Sequence, residues 1–532
     1  MATGIAQQHP AINIVELVTK IPEEYRDVPA IIDGNYSVTY SELKAEIEPI
    51  VKALYARGVR TGDRIALWAP NTYSWILIAL AIQWCGGILV PLNTRMKALE
   101  AKHILDNSDC RLLFLVGQFL EQDYPILLEQ TDILKKVECI LLPEQCTAET
   151  SVTLWEDFIS QGNDVDVKLI AELAENVTAE CYSDLLFTSG TTGKPKGVLS
   201  LHGATIRAFK QYATTLDLRI GEKYLIVNPF FHAFGYKAGW VTALLAGCTI
   251  LPEAIFNAQQ ILKRIDNERI NILPGPPTLY TSILNTADLT HYNISSIRVA
   301  VTGSASISPY LIEQMRYVLG IELVLTAYGL TECGGLATIC DSKDNTEVIA
   351  NTSGKAIKDT ELALFINGKM STQTGEVGEI CLRGYHITPG YWQNLAATKE
   401  AIDDKGWLHT GDLGVIDNAG NISITGRLKD MYICGGFNCY PAEIESIIQQ
   451  HPSILEVAVV GISDNRMGEV GCAFLILKQG TKINSTDLIL WCRERMANYK
   501  VPRHIRVVDI FPMNASNKVM KHELISLFSI NP

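Results

Sequence analysis

The chain has 532 residues, of which 47% are hydrophobic and 19% are charged. This composition predicts a soluble globular protein with several domain-sized units, and it excludes wholesale disorder. The formal net charge of −13 argues against general nucleic-acid binding, which needs a positive surface that neutralises phosphates.

The N-terminus and the cysteines both predict a cytoplasmic protein. The first twenty or so residues have no basic flank followed by an apolar core, so we expect no secretory signal. The 13 cysteines are scattered and contain no CxxC pair. We interpret them as reduced thiols rather than as disulfides or a zinc site.

One apolar run, residues 75–92, is long enough to suggest a membrane span. A Gly-Gly pair and Pro91 interrupt it, and Asn71 stands where a helix N-cap would be. The pattern therefore predicts a buried helix from about Thr72 to Cys85, followed by a core strand. We expect no transmembrane segment.

Short apolar runs alternate with helical patterns over most of the chain, and several of these runs are typical of strands buried on both faces. The strand predictions are residues 64–70, 86–92, 110–116, 223–229, 247–252, 271–276 and 296–304, with a helix over 258–269. This alternation predicts an α/β fold with helix-covered sheets.

The pattern changes after about residue 360. Short strands joined by Gly, Asn and Asp turns predict a small β unit, and the chain after Pro441 predicts a compact α+β unit. We place the domain boundary within GRLKD, residues 426–430. The prediction is a large N-terminal domain, residues 1–428, and a small mobile C-terminal domain, residues 429–532.

The segment TSGTTGKPKG, which begins at Thr188, follows an apolar strand and combines hydroxyls, glycines and two lysines. Such a loop offers the donors that a polyphosphate needs. It is not a Walker A loop, because Thr188 and Pro195 stand where that motif requires Gly and Ser or Thr.

Four further motifs follow in a fixed order: AYGLTE (327–332), HTGD (409–412), GRLKD (426–430) and GGFNCYPAEIE (435–445). Together with TSGTTGKPKG, they resemble the adenylate-forming superfamily of acyl- and aryl-CoA synthetases, luciferases and nonribosomal-peptide adenylation domains. The resemblance covers residues from about 30 to about 525. It is strongest to bacterial fatty-acyl-CoA synthetases.

The resemblance implies an acid–thiol ligase that joins a carboxylate to AMP, releases pyrophosphate and passes the acyl group to a thiol. It implies ATP and Mg²⁺, with coenzyme A as co-substrate, and Glu332 as the metal ligand. The implied ATP-binding residues are Thr188, Ser189, Gly190, Thr191, Thr192, Gly193, Lys194, Lys196, Gly303, Ser304, Ala305, Tyr328, Gly329, Thr331, Asp412 and Arg427.

The catalytic lysine implied by the resemblance is Lys518, although Asn517 stands where glycine is usual. Thr188 and His232 are further catalytic candidates, and His232 is also consistent with a core histidine. The implied acyl pocket comprises Phe231, His232, Gly235, Trp240, Gly303, Gly334 and Gly335. Gly435, Gly436 and Phe437 would contact CoA, but the lysine usual before this stretch is absent.

The predicted substrate is an apolar medium-chain, branched or alicyclic carboxylate, because the pocket segments hold small residues and no side chain to pair with an amino acid. One alternative is an acyl-AMP ligase that loads a phosphopantetheinyl carrier protein. Another is a non-catalytic nucleotide-binding regulator. By resemblance Lys429 is the hinge between the domains, and a homodimer is left open.

Overall fold

The polypeptide folds into two parts with separate hydrophobic cores. The computed structural model describes residues 5–143, 152–188, 195–287, 289–303, 307, 309–435, 437–514 and 519–530. One continuous core contains buried residues from Ala6 to Ile357, and a second contains buried residues from Tyr432 to Leu524. The predicted α/β class, with a large N-terminal and a small C-terminal domain, is confirmed.

The strands up to residue 302 are β1 (Pro29–Asp33), β2 (Tyr36–Thr39), β3 (Arg64–Trp68), β4 (Ile88–Pro91), β5 (Leu112–Leu115), β6 (Gln118–Phe119), β7 (Gln122–Asp123), β8 (Glu138–Leu141), β9 (Tyr182–Thr188), β10 (Lys196–Leu201), β11 (Lys223–Ile226), β12 (Thr249–Pro252) and β13 (Val299–Thr302). The later strands are β14 (Leu323–Tyr328), β15 (Thr338–Ile339), β16 (Lys355–Ala356), β17 (Thr360–Ile366), β18 (Lys369–Ser371), β19 (Val377–Gly384), β20 (Leu408–Ile416), β21 (Ile422–Arg427), β22 (Tyr432–Cys434), β23 (Phe437–Cys439), β24 (Ile454–Asp464), β25 (Gly468–Leu477) and β26 (His504–Val507).

The helices are α1 (Ile5–Gln8), α2 (Glu16–Thr19), α3 (Tyr40–Ala56), α4 (Tyr73–Trp84), α5 (Ala98–Ser108), α6 (Tyr124–Glu129), α7 (Trp155–Ser160), α8 (Val167–Glu175), α9 (His202–Thr215), α10 (Ala233–Gly235), α11 (Thr242–Leu245), α12 (Ala258–Glu268), α13 (Pro277–Leu284), α14 (Pro309–Tyr317), α15 (Thr346–Asn351), α16 (Leu395–Ala401), α17 (Pro441–Ile448), α18 (Ser485–Arg493) and α19 (Lys521–Ile530). A π-helical turn, Tyr236–Val241, lies between α10 and α11.

Three sheets form the larger part. One has the order β10-β9-β4-β3-β5-β8, and all of its strand pairs are parallel except the β9–β10 hairpin. The other two have the orders β11-β12-β1-β2 and β13-β14-β15-β16. Strands β17 to β21 then form the expected small β unit as one antiparallel sheet, in the order β18-β17-β19-β20-β21.

The predicted strand over residues 271–276 is wrong. Ile272 makes only isolated parallel bridges, one to Tyr224 and one to Val299. These bridges join the sheet that contains β11 to the sheet that contains β13. The three prolines and glycine that follow Leu273 explain the difference, because proline has no N–H group with which to extend a ladder.

Helix α4 and strand β4 confirm the buried-helix interpretation of residues 75–92. Thr72 is the N-cap of α4, and its hydroxyl accepts a hydrogen bond of 3.3 Å from the N–H of Trp75. The N-cap expected at Asn71 is therefore wrong by one residue. In the described part of the chain, no helix combines the length and apolar character needed to cross a membrane.

Candidate functional site

Two parallel strands, β13 and β14, bring the first group of predicted site residues to one edge of a sheet. Thr302 pairs with Thr326, so Gly303 and Tyr328 both lie at the carboxyl ends of these strands. This edge is where open α/β sheets bind ligands. A Cβ on Gly303 would lie 2.9 Å from the carbonyl oxygen of Ala327, so glycine permits this close approach.

Asp412 lies at the centre of the candidate nucleotide site. Its Oδ2 accepts a hydrogen bond of 2.7 Å from the Tyr328 hydroxyl, and its Oδ1 lies 3.1 Å from Nε of Arg427. Asp412 and Arg427 face each other across the β20–β21 ladder. The structure thus joins three residues that are far apart in the sequence.

The phenol of Tyr328 remains a hydrogen-bond donor at neutral pH. Burial, together with the negative charge of Asp412, raises the pKa of Tyr328 well above its usual range. The Asp412 carboxylate has about four lone-pair positions, of which Tyr328 and Arg427 occupy two. The remainder can accept two further hydroxyl donors of a ligand.

The paired strands β9 and β10 contain the two ends of the hydroxyl- and glycine-rich segment. Thr188 ends β9 and lies directly opposite Lys196, which begins β10. The connecting candidates Ser189, Gly190, Thr191, Thr192, Gly193 and Lys194 lie outside the described residues, as do Ser304, Ala305, Gly436 and Lys518.

Tyr391 joins this hairpin to Glu332, and the sequence analysis did not identify it. Its hydroxyl donates a 2.9 Å hydrogen bond to Oε1 of Glu332, and Nζ of Lys196 lies 5.1 Å from its ring centroid. Burial and the charge of Glu332 raise the pKa of Tyr391, so the phenol stays protonated. No spacing rule links residues 332 and 391, so the sequence carried no signal for this contact.

Glu332 is well placed to hold a divalent cation. It follows Thr331 in a 3₁₀ turn, Thr331–Cys333, and its main-chain carbonyl accepts a 2.8 Å hydrogen bond from the N–H of Thr388. The backbone is therefore fixed, while Tyr391 orients one carboxylate oxygen. A hard carboxylate oxygen is the donor that Mg²⁺ prefers, so Glu332 fits the metal.

Phe231 and His232 lie on a segment that Asn71 holds in place. The Asn71 amide donates to the carbonyl oxygens of Ile226 and Asn228, at 3.2 and 2.9 Å, and its oxygen accepts a 2.8 Å bond from the N–H of Phe230. The buried Asn71 is therefore a positioning residue. Its signal in the sequence, a polar residue beside an apolar run, was instead interpreted as an N-cap.

Two predicted pocket residues, Trp240 and Gly235, take part in the close packing of this region. Trp240 is fully buried and stacks on Tyr236 at a centroid distance of 4.9 Å, with Trp75 next to both. A Cβ on Gly235 would collide with the carbonyl oxygens of Asn228 and Pro229. Gly235 is thus required for the packing of this turn.

The glycines after Glu332 pack against the same segment. Gly335 has φ +97°, and a Cβ placed on it would lie 2.6 Å from Cβ of Ala233. Gly334 has φ +69°, and a Cβ there would meet only the carbonyl oxygen of His386, at 3.6 Å. Gly329 passes close to the carbonyl of Gly335. The structure therefore brings Gly335, but not Gly334, against the Phe231–Gly235 segment.

A buried ion pair links this segment to the β9–β10 hairpin. Nζ of Lys237 lies 3.1 Å from Oδ1 of Asp184, and both side chains are fully buried. Lys237 also donates to the Ser200 hydroxyl at 2.7 Å, and the Ser183 hydroxyl donates to Asp184 at 2.6 Å. A lysine within an apolar helical run is a sequence signal for such a pair, and the sequence analysis did not use it.

The C-terminal candidates lie beyond the candidate hinge. Lys429 is exposed in a 3₁₀ turn, Leu428–Asp430, which directly follows Arg427. Gly435 has φ +58°, and its N–H donates to the carbonyl of Met467 at 2.8 Å. The exposed ring of Phe437 stacks on Tyr499 at a centroid distance of 4.6 Å.

Comparison with known families identifies this architecture. The model of the AMP-binding enzyme family matches residues 18–392, and that of the AMP-binding enzyme C-terminal domain matches residues 443–518. The chain belongs to the family of AMP-binding, adenylate-forming enzymes.

Relatives share most of the chain's length. The 3-[(3aS,4S,7aS)-7a-methyl-1,5-dioxo-octahydro-1H-inden-4-yl]propanoyl:CoA ligase of Mycobacterium tuberculosis is 41% identical over 96% of this chain and 96% of its own. The mitochondrial medium-chain acyl-CoA ligase of Bos taurus is 33% identical, over 92% of this chain and 83% of its own. The solved o-succinylbenzoate CoA synthetase of Bacillus subtilis, in complex with its acyl-adenylate intermediate, matches with a TM-score of 0.79. It is 27% identical, over 96% of this chain and 97% of its own.

Proposed function

We propose that the protein is an ATP-dependent acyl-CoA synthetase. It activates an apolar carboxylic acid to an acyl-adenylate, releases pyrophosphate and transfers the acyl group to the thiol of CoA. The observation that carries this proposal is the convergence of Tyr328, Asp412 and Arg427 at a strand-end edge, in a chain that belongs to the adenylate-forming family.

The described residues have separate roles in the proposed first step. Asp412 accepts the two ribose hydroxyls, the ring of Tyr328 packs on the adenine, and Arg427 contacts the ribose and phosphate. Thr188 and Lys196 fix the two ends of the loop that holds the β- and γ-phosphates. Each role matches the donor or acceptor chemistry of the side chain.

Glu332 is the proposed Mg²⁺ ligand, with Tyr391 orienting its carboxylate. Bound Mg²⁺ would supply positive charge that offsets the negative charge of the phosphates. The residues of this chain bind and orient the nucleotide around it. Thr331, next to Glu332, contacts the α-phosphate.

The acyl group is proposed to lie beside the contact between the Phe231–Gly235 segment and Gly335, which together would form one wall of its pocket. Relatives include a ligase named for a propanoyl side chain on a fused bicyclic ring and one named for medium-chain acyl groups. Ala233 and Gly335 pack closely against each other in this wall, since a Cβ on Gly335 would lie 2.6 Å from Cβ of Ala233, and neither carries a polar side chain. We therefore propose a medium-chain, branched or alicyclic carboxylate.

The second step is proposed to use the smaller domain. Lys429 lies in an exposed turn between the two cores, where few packed side chains oppose a change of backbone angles. Residues 429–532 would rotate about it, and Gly435, Gly436 and Phe437 would then contact CoA. A cytoplasmic location is part of this proposal.

Pyrophosphate release tests the proposal directly. The full chain is incubated with ATP, Mg²⁺ and a panel of linear, branched and bicyclic carboxylates, each with CoA, with a phosphopantetheinyl carrier protein or with neither. CoA thioester formation on an apolar acid supports the proposal. Transfer to the carrier protein alone supports the acyl-AMP ligase, and no pyrophosphate release with any acid supports a non-catalytic regulator.

Replacement of Asp412 by alanine is expected to raise the KM for ATP and lower kcat/KM. The ribose loses its acceptor, and Tyr328 and Arg427 lose their partner, so we expect a loss of about 2–4 kcal/mol of transition-state stabilisation. Steady-state kinetics with varied ATP measures this loss.

Asp417→Ala is the matched control, because Asp417 lies in the turn at the other end of the β20–β21 hairpin. Its carboxylate accepts hydrogen bonds from the N–H groups of Ala419 and Asn421, each at 2.8 Å. We expect the KM for ATP to stay near that of the parent. An unchanged KM in Asp412→Ala would show that the ribose site lies elsewhere.

Replacement of Gly335 by alanine is expected to narrow the accepted acyl group while ATP binding is retained. The new methyl group would lie 2.6 Å from Cβ of Ala233 and push this wall toward the proposed pocket, and a change of about one methyl group in an apolar pocket alters discrimination by about 1–3 kcal/mol. The measurement is kcat/KM for a bicyclic and a linear acid of similar size.

Gly334→Ala is the control for backbone strain, since both glycines have positive φ but only Gly335 meets Ala233. The double variant Ala233→Gly with Gly335→Ala should recover part of the activity on bulky acids. Equal substrate profiles for Gly334→Ala and Gly335→Ala would refute this location of the acyl wall.

A further inference from the structure

Three side chains with metal-binding atoms meet on the small β unit, apart from the candidate nucleotide site. Glu379 and Cys381 are two residues apart on β19, and Cys381 pairs with His409 on β20. Nδ1 of His409 lies 2.8 Å from Oε2 of Glu379 and 3.5 Å from Sγ of Cys381. Among the described residues, this is the one group of three such side chains whose ligand atoms all lie within 4.8 Å of one another.

The spacing of these atoms fits a tetrahedral transition metal. With metal–ligand distances of about 2.0–2.3 Å, tetrahedral geometry separates neighbouring ligand atoms by about 3.3–3.7 Å. The 3.5 Å separation of sulfur and nitrogen already fits, and the nitrogen–oxygen pair would open by about half an ångström. A thiolate, an imidazole and a carboxylate together favour Zn²⁺ over Mg²⁺ or Ca²⁺.

Groups around the three side chains match the outer shell of a metal site. Oδ2 of Asp403 lies 3.9 Å from Nε2 of His409, and Oε1 of Glu379 accepts a 3.0 Å hydrogen bond from the N–H of Gly411. In metal sites the second histidine nitrogen commonly faces a carboxylate, and ligating carboxylates are themselves hydrogen-bonded. Both features are present here.

The group of three side chains is buried on the side of Cys381 and partly exposed to solvent on the side of His409 and Glu379. The Cys381 side chain is buried in a small cluster with Trp407, while His409 is 23% exposed and Glu379 is 14% exposed. An ion could therefore enter from the solvent side and keep a water molecule as its fourth ligand. This arrangement of three protein ligands and one open position is common for zinc.

We propose that Glu379, Cys381 and His409 form a binding site for one Zn²⁺ ion. On binding, a metal–sulfur bond replaces the sulfur–hydrogen bond of Cys381, and the thiol proton passes to the buffer. The proton on Nδ1 of His409 moves to Nε2, which faces Asp403, so that the lone pair of Nδ1 is free to bind the ion. The ion would tie β19 to β20 just before Asp412. This site goes beyond the proposed acyl-CoA synthetase activity and does not depend on it.

Cobalt titration of the full chain tests the site. Co²⁺ replaces Zn²⁺ in such sites, and its thiolate complex absorbs in the near ultraviolet, so the probe reports sulfur coordination. Without ATP, we expect one equivalent of Co²⁺ to produce this absorption and Zn²⁺ to abolish it. Zn²⁺ should also raise the Tm of the chain.

Two ligand variants and two controls decide the outcome. Cys381→Ser should lose the charge-transfer absorption, and His409→Gln, at a partly exposed position, should weaken cobalt binding by about tenfold or more. Cys340→Ser changes another buried cysteine, and His103→Gln changes another partly exposed histidine; both should bind like the parent. The proposal would be overturned by the absence of thiolate absorption in the parent, or by ligand variants whose absorption and cobalt affinity equal those of the parent.

Discussion

Lys237→Met is expected to destabilise the large domain by about 3–5 kcal/mol, because it leaves the Asp184 carboxylate buried without its partner cation. Both side chains are fully buried, and their charged atoms lie 3.1 Å apart. Lys237 is the cation that faces Asp184 in the parent chain, because burial, with a smaller contribution from Lys237, lowers the pKa of His202 to about 4 against the opposing effect of Asp184. The imidazole is therefore neutral at neutral pH.

The ion pair also connects two parts of the candidate site. Asp184 lies on β9, four residues before Thr188, and Lys237 lies in the π-helical turn that follows Gly235. Loss of the pair is therefore expected to disturb the β9–β10 hairpin and the Phe231–Gly235 segment together.

Urea unfolding followed by tryptophan fluorescence tests this prediction, since Trp240 lies in the turn and Trp75 packs against it. The matched control is the double variant Lys237→Met with Asp184→Asn, which has no charge left at the pair. It should be more stable than Lys237→Met alone by about 2 kcal/mol or more, because the penalty of the single variant is an uncompensated buried charge. Equal destabilisation of the two variants would argue that packing, rather than charge, explains the loss.

Lys518→Ala is expected to lower the adenylation rate by about 10²–10³-fold, the usual effect of removing one group that stabilises developing negative charge. By resemblance, Lys518 delivers its cation to the carboxylate and α-phosphate only in the first half-reaction. Thioester formation from synthetic acyl-AMP should therefore be close to that of the parent. Measuring the two half-reactions separately decides between this role and a general base in both, which predicts equal impairment.

Lys429→Pro is expected to have the opposite effect. Proline fixes φ near −65°, so the exposed turn after Arg427 would resist the change of backbone angles that we propose for the second half-reaction. Adenylation should be retained and thioester formation should be lost. Lys429→Ala is the control, because it removes the charge without restricting the backbone. Equal loss of the second step in both variants would refute the hinge role and assign the effect to the charge of Lys429.

Much of the secondary structure could be predicted from local patterns. Residues 64–70 and 110–116 contain β3 and β5, and α12 occupies residues 258–268 of the predicted helix over 258–269. These elements follow from apolar periodicity and turn residues, which act over a few neighbours. The family, and with it the acyl-CoA synthetase proposal, came from short motifs in a fixed order.

Contacts between distant segments could not be predicted in this way. Asn71 was expected to cap α4, yet its amide and carbonyl groups instead hold the main chain around Asn228 and Phe230. A buried side-chain amide must satisfy several hydrogen bonds, and their partners depend on which loop packs against it. The sequence shows that Asn71 carries an amide, but it does not show which main-chain groups that amide will bond.

Local sequence patterns and motifs were enough to predict the α/β class, the two-part architecture and the residues whose chemistry suits a nucleotide and an apolar acid. The contacts of Asp412 with Tyr328 and Arg427, of Tyr391 with Glu332, and of Gly335 rather than Gly334 with Ala233 became visible in the folded chain. These two kinds of information differ in the distance along the chain over which they act. Periodicity and capping are local properties of the chain, whereas ion pairs, orienting hydrogen bonds and close approaches of glycine depend on how strands far apart in sequence align.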